Sequence, residues 1–282
     1  MTNRLRAVTL LAASLLNPPL YSQSSKPDAK LSKASIATSE ARTKKIKQEL
    51  SSLKDHNWAG EYFFGDGEGV NVSLALAPDS GFVFSWHGCG GLYDLNYGEV
   101  LFESGVVKLR FEYPNKREGF EGIAPKLLAV HWGKRHYLID IDRIVDFTNA
   151  INAGTEPSIL FGGQSGSFLL RRGDEKEPVS GRPDIPSEYL SYLLQNPITT
   201  KASSLHRTRT QESSRFTDVT LDVGRADGLK QGMELFLHSP PRFFASAVVG
   251  SVGEHSASAV IEQLGLKDPV PAVHWEFSTK LD

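Results

Sequence analysis

The chain has 282 residues, of which 40% are hydrophobic and 23% charged, and its 31 basic side chains are balanced by 33 acidic ones. This composition is typical of a globular protein with about two domains, and 10% aromatic residues is too many for a disordered chain. Proteins that bind nucleic acids usually carry a strong excess of positive charge, so the net charge of −2 argues against that class.

The N-terminal segment, residues 1–23, has the features of a secretory signal peptide. Arg4 and Arg6 precede a short apolar run, Ala7–Leu16, and small and polar residues follow it. A positive start, a short apolar stretch and small residues near the cleavage point characterise such signals. The run is shorter than the roughly 20 residues of a transmembrane helix. We therefore expect a bacterial protein that is periplasmic or secreted, with no integral membrane span after cleavage; the alternative is a signal retained as an anchor.

Residues 24–57 are predicted to be a polar tether followed by a short helix over Glu40–Leu53. Ile46, Leu50 and Leu53 fall at i, i+4 and i+7, with Lys and Glu between them, which is the spacing of one apolar stripe on a helix. A single narrow stripe indicates a helix that packs on the domain that follows.

From residue 58 to residue 172 the hydrophobic residues alternate with a period of two, which predicts strands. Val70–Leu76 and Phe82–Trp86 flank the turn Pro78–Gly81 and form a hairpin. Further strands are predicted at Gly98–Glu103, Val106–Tyr113, Lys126–Trp132, His136–Ile141 and Ser167–Arg171. Short turns between sequential strands predict an antiparallel meander, closed as a barrel or folded as a sandwich.

Residues 173–197 are predicted to be a proline-rich linker with a short helix that begins at Ser187. The prolines and charges of Gly173–Pro186 suggest a segment that buries little. Residues 198–282 return to short alternating strands and predict a second, smaller β-barrel. The fold class is therefore mainly β, with two β domains.

The segment Val219–Met233 contains a strand followed by a turn of the form Gly-x-x-Asp-Gly-hydrophobic-x-x-Gly, in which Asp227, Gly228 and Gly232 stand at the marked positions. A Val-Gly-Ser-Val sequence follows at 249–252. This pattern resembles small β-barrels of bacterial envelope proteins, namely those of the cell-shape scaffold protein MreC and the C-terminal domain of flagellar assembly protein FlgT. The resemblance implies a structural turn in a barrel that serves assembly, with no catalytic residues.

The sequence Trp58-Ala-Gly-Glu-Tyr62 resembles the Trp-x-Gly-x-Tyr entrance of lipocalin-like barrels. In those barrels the Trp usually plugs one end of the core. The resemblance implies an alternative function, a carrier whose first barrel encloses a small apolar ligand. Its ligand-binding residues would be Phe82, Phe84, Trp86 and Trp132.

Catalysis by a thiol is a second alternative, because His87 and Cys89 stand two residues apart and could form the nucleophile and base of a hydrolase. Activation of a thiol also needs a third, orienting group, and no thiol-enzyme signature is present. The glycines around Cys89 more simply indicate a sharp chain reversal. We therefore expect Cys89 to be a small buried side chain, although it is the candidate for a reactive thiol.

His131 and His136 flank the turn at Gly133-Lys134 and are expected to meet across a hairpin. A zinc site would need a third ligand, for which His87 is the nearest candidate. Asp140 and Asp142 alternate with isoleucines and are predicted to share one face of a strand. None of these patterns is complete, and we predict no metal site and no cofactor.

The leading hypothesis is a non-enzymatic exported protein that acts by binding or assembly in the cell envelope, with an envelope or protein partner that the sequence does not identify.

Overall fold

The computed structural model describes residues 33–53, 56–65, 69, 71–112, 116–117, 120–157, 168–211, 213–239 and 245–281. The described residues form two closed antiparallel β-barrels, of eight and six strands. The prediction of a mainly β chain with two β-barrels is confirmed.

The first barrel is built from β1 (Gly60–Phe64), β2 (Asn71–Ala77), β3 (Gly81–Gly88), β4 (Gly91–Glu103), β5 (Val106–Phe111), β8 (Lys126–Trp132), β9 (Arg135–Asp140) and β10 (Phe168–Arg171). A two-stranded hairpin of β6 (Lys116–Arg117) and β7 (Phe120–Glu121) lies between β5 and β8. Strands pair with their neighbours in the chain, and β1 closes the barrel by pairing with β10. Alternate side chains point inward and form one continuous core: Tyr62, Leu74, Leu76, Phe82, Phe84, Trp86, Val107, Leu127, Leu138 and Leu169.

The N-terminal helix α1 (Lys33–Ser52) begins earlier than predicted and packs outside β2, β3 and β4. Ile46, on the predicted stripe, is fully buried there in a cluster with Val83 and Leu95. The carboxylate of Glu49 accepts hydrogen bonds from backbone N–H groups of the β2–β3 turn, at 2.9 and 2.8 Å. The helix is therefore held by both apolar packing and polar contacts to a turn.

The sequence did not predict the second helix, α2 (Ile144–Ala153). The residues that lead into this helix contradict the prediction made for Asp140 and Asp142. The strand β9 ends at Asp140, whose carboxylate accepts a hydrogen bond from the backbone N–H of Asp142 at 3.1 Å. This contact starts a 3₁₀ turn, Ile141–Arg143, that leads directly into α2. The prediction that Asp140 and Asp142 share a strand face is wrong, because the chain leaves the sheet between them.

The linker contains the predicted short helix, as a 3₁₀ helix over Ser187–Tyr192. Most residues of Gly173–Pro186 are exposed, in line with the expectation that this segment buries little, and the buried exceptions are Asp174, Pro183 and Ile185. Ile185 is buried against the outside of the first barrel, and the backbone N–H of Asp184 donates to the carbonyl oxygen of His131 at 2.9 Å. The segment is therefore docked on the barrel wall through these two residues.

The second barrel is built from β11 (Thr199–Gln211), β12 (Ser214–Leu221), β13 (Glu234–Ser239), β14 (Ala245–Val252), β15 (Ala257–Leu264) and β16 (Glu276–Ser278). The order around it is β11-β12-β15-β14-β13-β16, so the strands do not follow one another as a simple meander. Small side chains face inward in β11, β14 and β15, including those of Ala202, Ala247 and Ala259. Small residues fit this position because six strands enclose a narrower interior than eight.

Candidate functional site

Three of the four residues predicted to line a ligand cavity pack together inside the first barrel. Phe82, Phe84 and Trp86 are between 0% and 4% exposed and belong to the continuous core. Trp132 packs with the cluster on the outer face of the barrel wall, where its indole N–H donates to the carbonyl oxygen of Gly181 at 3.0 Å. The structure therefore does not bring the four residues into one site.

Cys89 lies at the tip of the β3–β4 hairpin. Gly88 and Gly91 pair across this hairpin, so Cys89 and Gly90 form a two-residue turn. The predicted chain reversal is confirmed. The prediction that Cys89 is buried is wrong, because a turn at the end of a barrel projects its side chains into solvent; both Cys89 and His87 are exposed.

The predicted turn near Asp227 has the backbone conformation that its glycines suggested. Gly228 and Gly232 have φ values of +88° and +82°, a region that glycine adopts without a Cβ clash. The carboxylate of Asp227 accepts a hydrogen bond from the backbone N–H of Gly224 at 2.9 Å. A side chain at Gly224 would clash with the backbone, because a Cβ there would lie 2.5 Å from the carbonyl oxygen of Glu254. The three residues predicted for this turn, Asp227, Gly228 and Gly232, thus each contribute to its backbone conformation.

His131 and His136 meet as expected: they are directly opposite in β8 and β9, with ring centroids 4.6 Å apart. Each Nδ1 atom contacts a linker carboxylate, His131 that of Asp184 at 2.8 Å and His136 that of Asp174 at 2.7 Å. His87 lies at the opposite end of the barrel, because successive turns of an up-and-down barrel alternate between its two ends. The partners of the histidine pair are therefore linker aspartates that sequence reasoning missed.

Arg171, the last residue of β10, joins this pair to the start of the barrel. Its guanidinium donates to Nε2 of His136 at 3.0 Å and to the carbonyl oxygen of His56 at 2.8 Å, and its Nε lies 3.5 Å from the carboxylate of Asp174. Trp58 is buried beside His56 and stacks on Phe102 with ring centroids 5.3 Å apart. A largely buried polar network therefore lies beside the tryptophan at this end of the core.

The protonation of His136 follows from these partners. Arg171 can only donate, so Nε2 of His136 must accept, and the neutral ring carries its proton on Nδ1 toward Asp174. Burial lowers the pKa of His136; the hydrogen bond to Asp174 opposes this shift, and the charge of Arg171 adds to it. Both ring nitrogens are engaged within the protein. The geometry assigns this histidine to holding the linker and β10 together.

Two asparagine side chains join the helix α2 to its surroundings, one to the second barrel and one to the linker. Asn149 is buried; its amide donates to the carbonyl oxygen of Gly232 at 2.9 Å and accepts from the backbone N–H of Glu234 at 3.2 Å. One turn later, the amide of Asn152 makes the same two types of contact with the linker backbone at 192–194, at 2.8 and 3.0 Å. Each asparagine amide thus binds one backbone C=O and one backbone N–H, Asn149 in the second barrel and Asn152 in the linker.

Carboxyl groups also gather near this contact. Burial raises the pKa of Asp146 on α2, of Glu234 on β13 and of Glu262 on β15. The negative charges of Asp146 and Glu262 raise the pKa of Glu234 further, and Arg143 partly compensates the charge of Asp146 from 3.3 Å. Carboxyl groups with raised pKa values stabilise the folded state in acid and destabilise it as the pH rises through those values.

A cleft of about 430 Å³ lies outside the barrel, between the end of α1 and the paired strands β1 and β10. It is lined by Leu50, Leu53, His56, Ala59, Gly60, Glu61, Arg171 and Arg172. Its volume is in the range of small-molecule sites, roughly 300–1,000 Å³. Sequence reasoning missed this cleft because the chain brings its walls together from segments more than a hundred residues apart.

Among the described residues, no group of three or more His, Cys, Asp or Glu side chains could hold a metal ion. None of the helices in this part of the chain is sufficiently long and apolar to cross a membrane. The resemblances at Val219–Met233 and at Trp58–Tyr62 stay predictions. Comparisons with protein families, with curated protein sequences and with solved structures found no match to this chain.

Proposed function

We propose that this protein is exported from a bacterial cell and acts without catalysis, by binding a partner protein in the cell envelope. The signal-like residues 1–23 and the resemblance of Val219–Met233 to envelope barrels support export and assembly. The observation that carries the proposal furthest is an open strand edge on the second barrel. The interior of the first barrel is occupied by its own aromatic side chains, so a partner is more readily bound at an outer surface.

The packing of the first barrel favours binding by outer surfaces over the carrier alternative. An eight-stranded barrel is just wide enough to be filled by side chains or to hold one small ligand. Here Tyr62, Phe82, Phe84 and Trp86 occupy the interior as one cluster of buried side chains. A carrier would instead leave that volume to its ligand.

The open edge belongs to β11. The neighbouring strand β16 pairs only with residues 199–201 of β11, whereas β12 pairs with β11 as far as Gln211. Beyond Ala202, no other described strand pairs with this edge. An unpaired edge is a template for a strand from another chain. We therefore place the partner along residues 203–211.

The positive charge on this open edge favours an acidic, extended segment of a partner protein as the bound strand. Arg207 is exposed in the open part of β11 and forms no ion pair among the described residues, whereas Arg209 is paired with Asp218 at 2.6 Å. A second copy of this edge would bring like charges together, which is unfavourable between paired strands. Exposed apolar side chains of the β15–β16 connection, including Val270 and Val273, lie in the same barrel.

The export part of the proposal predicts a mature N-terminus between Gln23 and Lys26. Small and polar residues follow the apolar run there, as signal cleavage requires. The full chain should be produced in a Gram-negative bacterium and the periplasmic fraction analysed by mass spectrometry. An intact Met1 in the membrane fraction would contradict export followed by cleavage.

The edge part predicts that the full-length protein binds an extended peptide of alternating Glu and Val, and binds the matching Lys–Val peptide much more weakly. Backbone pairing should shift the amide NMR signals of residues 203–211, and Arg207→Glu should weaken the binding by about fivefold or more, the scale of one charge contact. Lys230→Glu, an exchange away from this edge, is the control. Equal binding of both peptides, shifts elsewhere, or concentration-dependent dimerisation through β11 would exclude this partner.

A further inference from the structure

Two residues that line the cleft beside α1, His56 and Arg172, carry hydrogen-bond donors that no described acceptor uses. Nδ1 of His56 accepts from the backbone N–H of Ala59 at 3.2 Å, so the neutral ring carries its proton on Nε2. The guanidinium of Arg172 lies over the ring of Phe63, 4.9 Å from its centroid. Among the described residues, Arg172 forms no ion pair and its side chain donates no hydrogen bond.

The other charges of the cleft are already compensated. Arg171 is engaged by Asp174, and the carboxylate of Glu61 pairs with Lys47 at 3.3 Å. Among the described residues that line the cleft, the charge left without a partner is the positive charge of Arg172. A guanidinium binds carboxylates through paired, charge-assisted hydrogen bonds, so the polar part of the cleft suits an anion.

The remaining walls are apolar. Leu50 and Leu53, at the end of α1, are half-buried and pack against the core of the first barrel, and Ala59 adds a methyl group. A ligand that fits both parts needs an anionic group at one end and a hydrocarbon portion at the other.

We propose that this cleft binds a small amphiphilic carboxylate, with the carboxylate on Arg172 and the Nε2–H of His56 and a short hydrocarbon chain against Leu50 and Leu53. This site goes beyond the partner surface proposed above, since it lies on the other barrel and uses none of its residues. It is also separate from the barrel interior, to which a carrier function would be assigned.

Titration calorimetry of the full-length protein with four probes tests the site: hexanoate, acetate, hexylammonium and inorganic phosphate. We expect hexanoate to bind more tightly than acetate or phosphate, because only hexanoate covers the leucines, and hexylammonium not to bind. Arg172→Gln should weaken hexanoate binding about tenfold or more, the usual scale for losing a charged hydrogen bond. His56→Asn keeps an acceptor near the Nδ1 position and removes the Nε2 proton, so it should weaken binding by a smaller factor.

Arg110→Gln is the matched control, because Arg110 is exposed on β5, pairs with Glu99 at 3.1 Å and does not line the cleft. Its affinity for hexanoate should equal that of the unaltered protein. Thermal melts of the variants establish that each is folded. The proposal is overturned if hexylammonium binds as well as hexanoate, if folded Arg172→Gln keeps the full affinity, or if hexanoate shows no saturable binding at millimolar concentration.

Discussion

Replacing Asp174 with alanine is expected to lower the free energy of unfolding by about 3 kcal/mol, the scale for leaving a buried charge without its partner. The Asp174 carboxylate accepts from the backbone N–H of His136 at 2.8 Å and contacts Nδ1 of the same residue at 2.7 Å. It also balances the largely buried charge of Arg171. Urea denaturation at neutral pH, followed by tryptophan fluorescence, measures the loss.

Asp184→Ala is the matched control for this prediction. Asp184 holds His131 in the same manner, but its side chain is 56% exposed, and exposed ion pairs contribute roughly 0–1 kcal/mol. The same network should also make the unaltered protein pH-sensitive. Since burial lowers the pKa of His136, this histidine's contribution to stability is present above a pH of about 6.5 and is lost as the pH falls. Equal losses in the two aspartate variants would mean that burial of the network contributes nothing.

Asn149→Ala is expected to cost about 2–3 kcal/mol and to loosen the contact between the barrels. The change leaves the carbonyl oxygen of Gly232 and the backbone N–H of Glu234 without the amide that now binds them. Each unsatisfied buried polar group costs roughly 1–3 kcal/mol, although water entering the gap would recover part of this. Hydrogen exchange of the Glu234 amide reports the local effect, and urea denaturation reports the total.

Asn152→Ala separates this effect from damage to the helix itself. Asn152 lies one turn further along α2 and binds the linker backbone at 192–194. Its removal should speed hydrogen exchange at Leu194 while leaving the Glu234 amide protected. Faster exchange at Glu234 in both variants would show that α2 responds as a whole, and that Asn149 has no specific role in joining the barrels.

The strands were predictable where the signal is local. Lys126–Trp132 was predicted with its observed ends, because inward and outward residues alternate and a glycine turn follows. The helix Ile144–Ala153 was missed, since the apolar–polar alternation runs on through Ile141 and Asp142, beyond the observed end of the strand at Asp140. The carboxylate that turns the chain there acts through one hydrogen bond to Asp142, and alternation alone does not reveal such a bond.

The site was much less predictable than the strands. His131 and His136 were expected to meet, yet their partners Asp184 and Asp174 lie 53 and 38 positions away in the chain. In a stretch of prolines and charges, a buried aspartate has the same local pattern as a solvated one. Cys89 was wrongly expected to be buried, because small residues near glycines occur both in cores and at the tips of turns.

The position of α2 in the chain has a consequence for the order of assembly during synthesis. The helix lies between β9 and β10, so the first barrel and its attached helix are complete once Arg171 has been added. Domains generally fold as units, starting from the N-terminal one. The first barrel can therefore fold before the second barrel is complete, and Asn149 then offers its amide to the later barrel from a helix that is already in position.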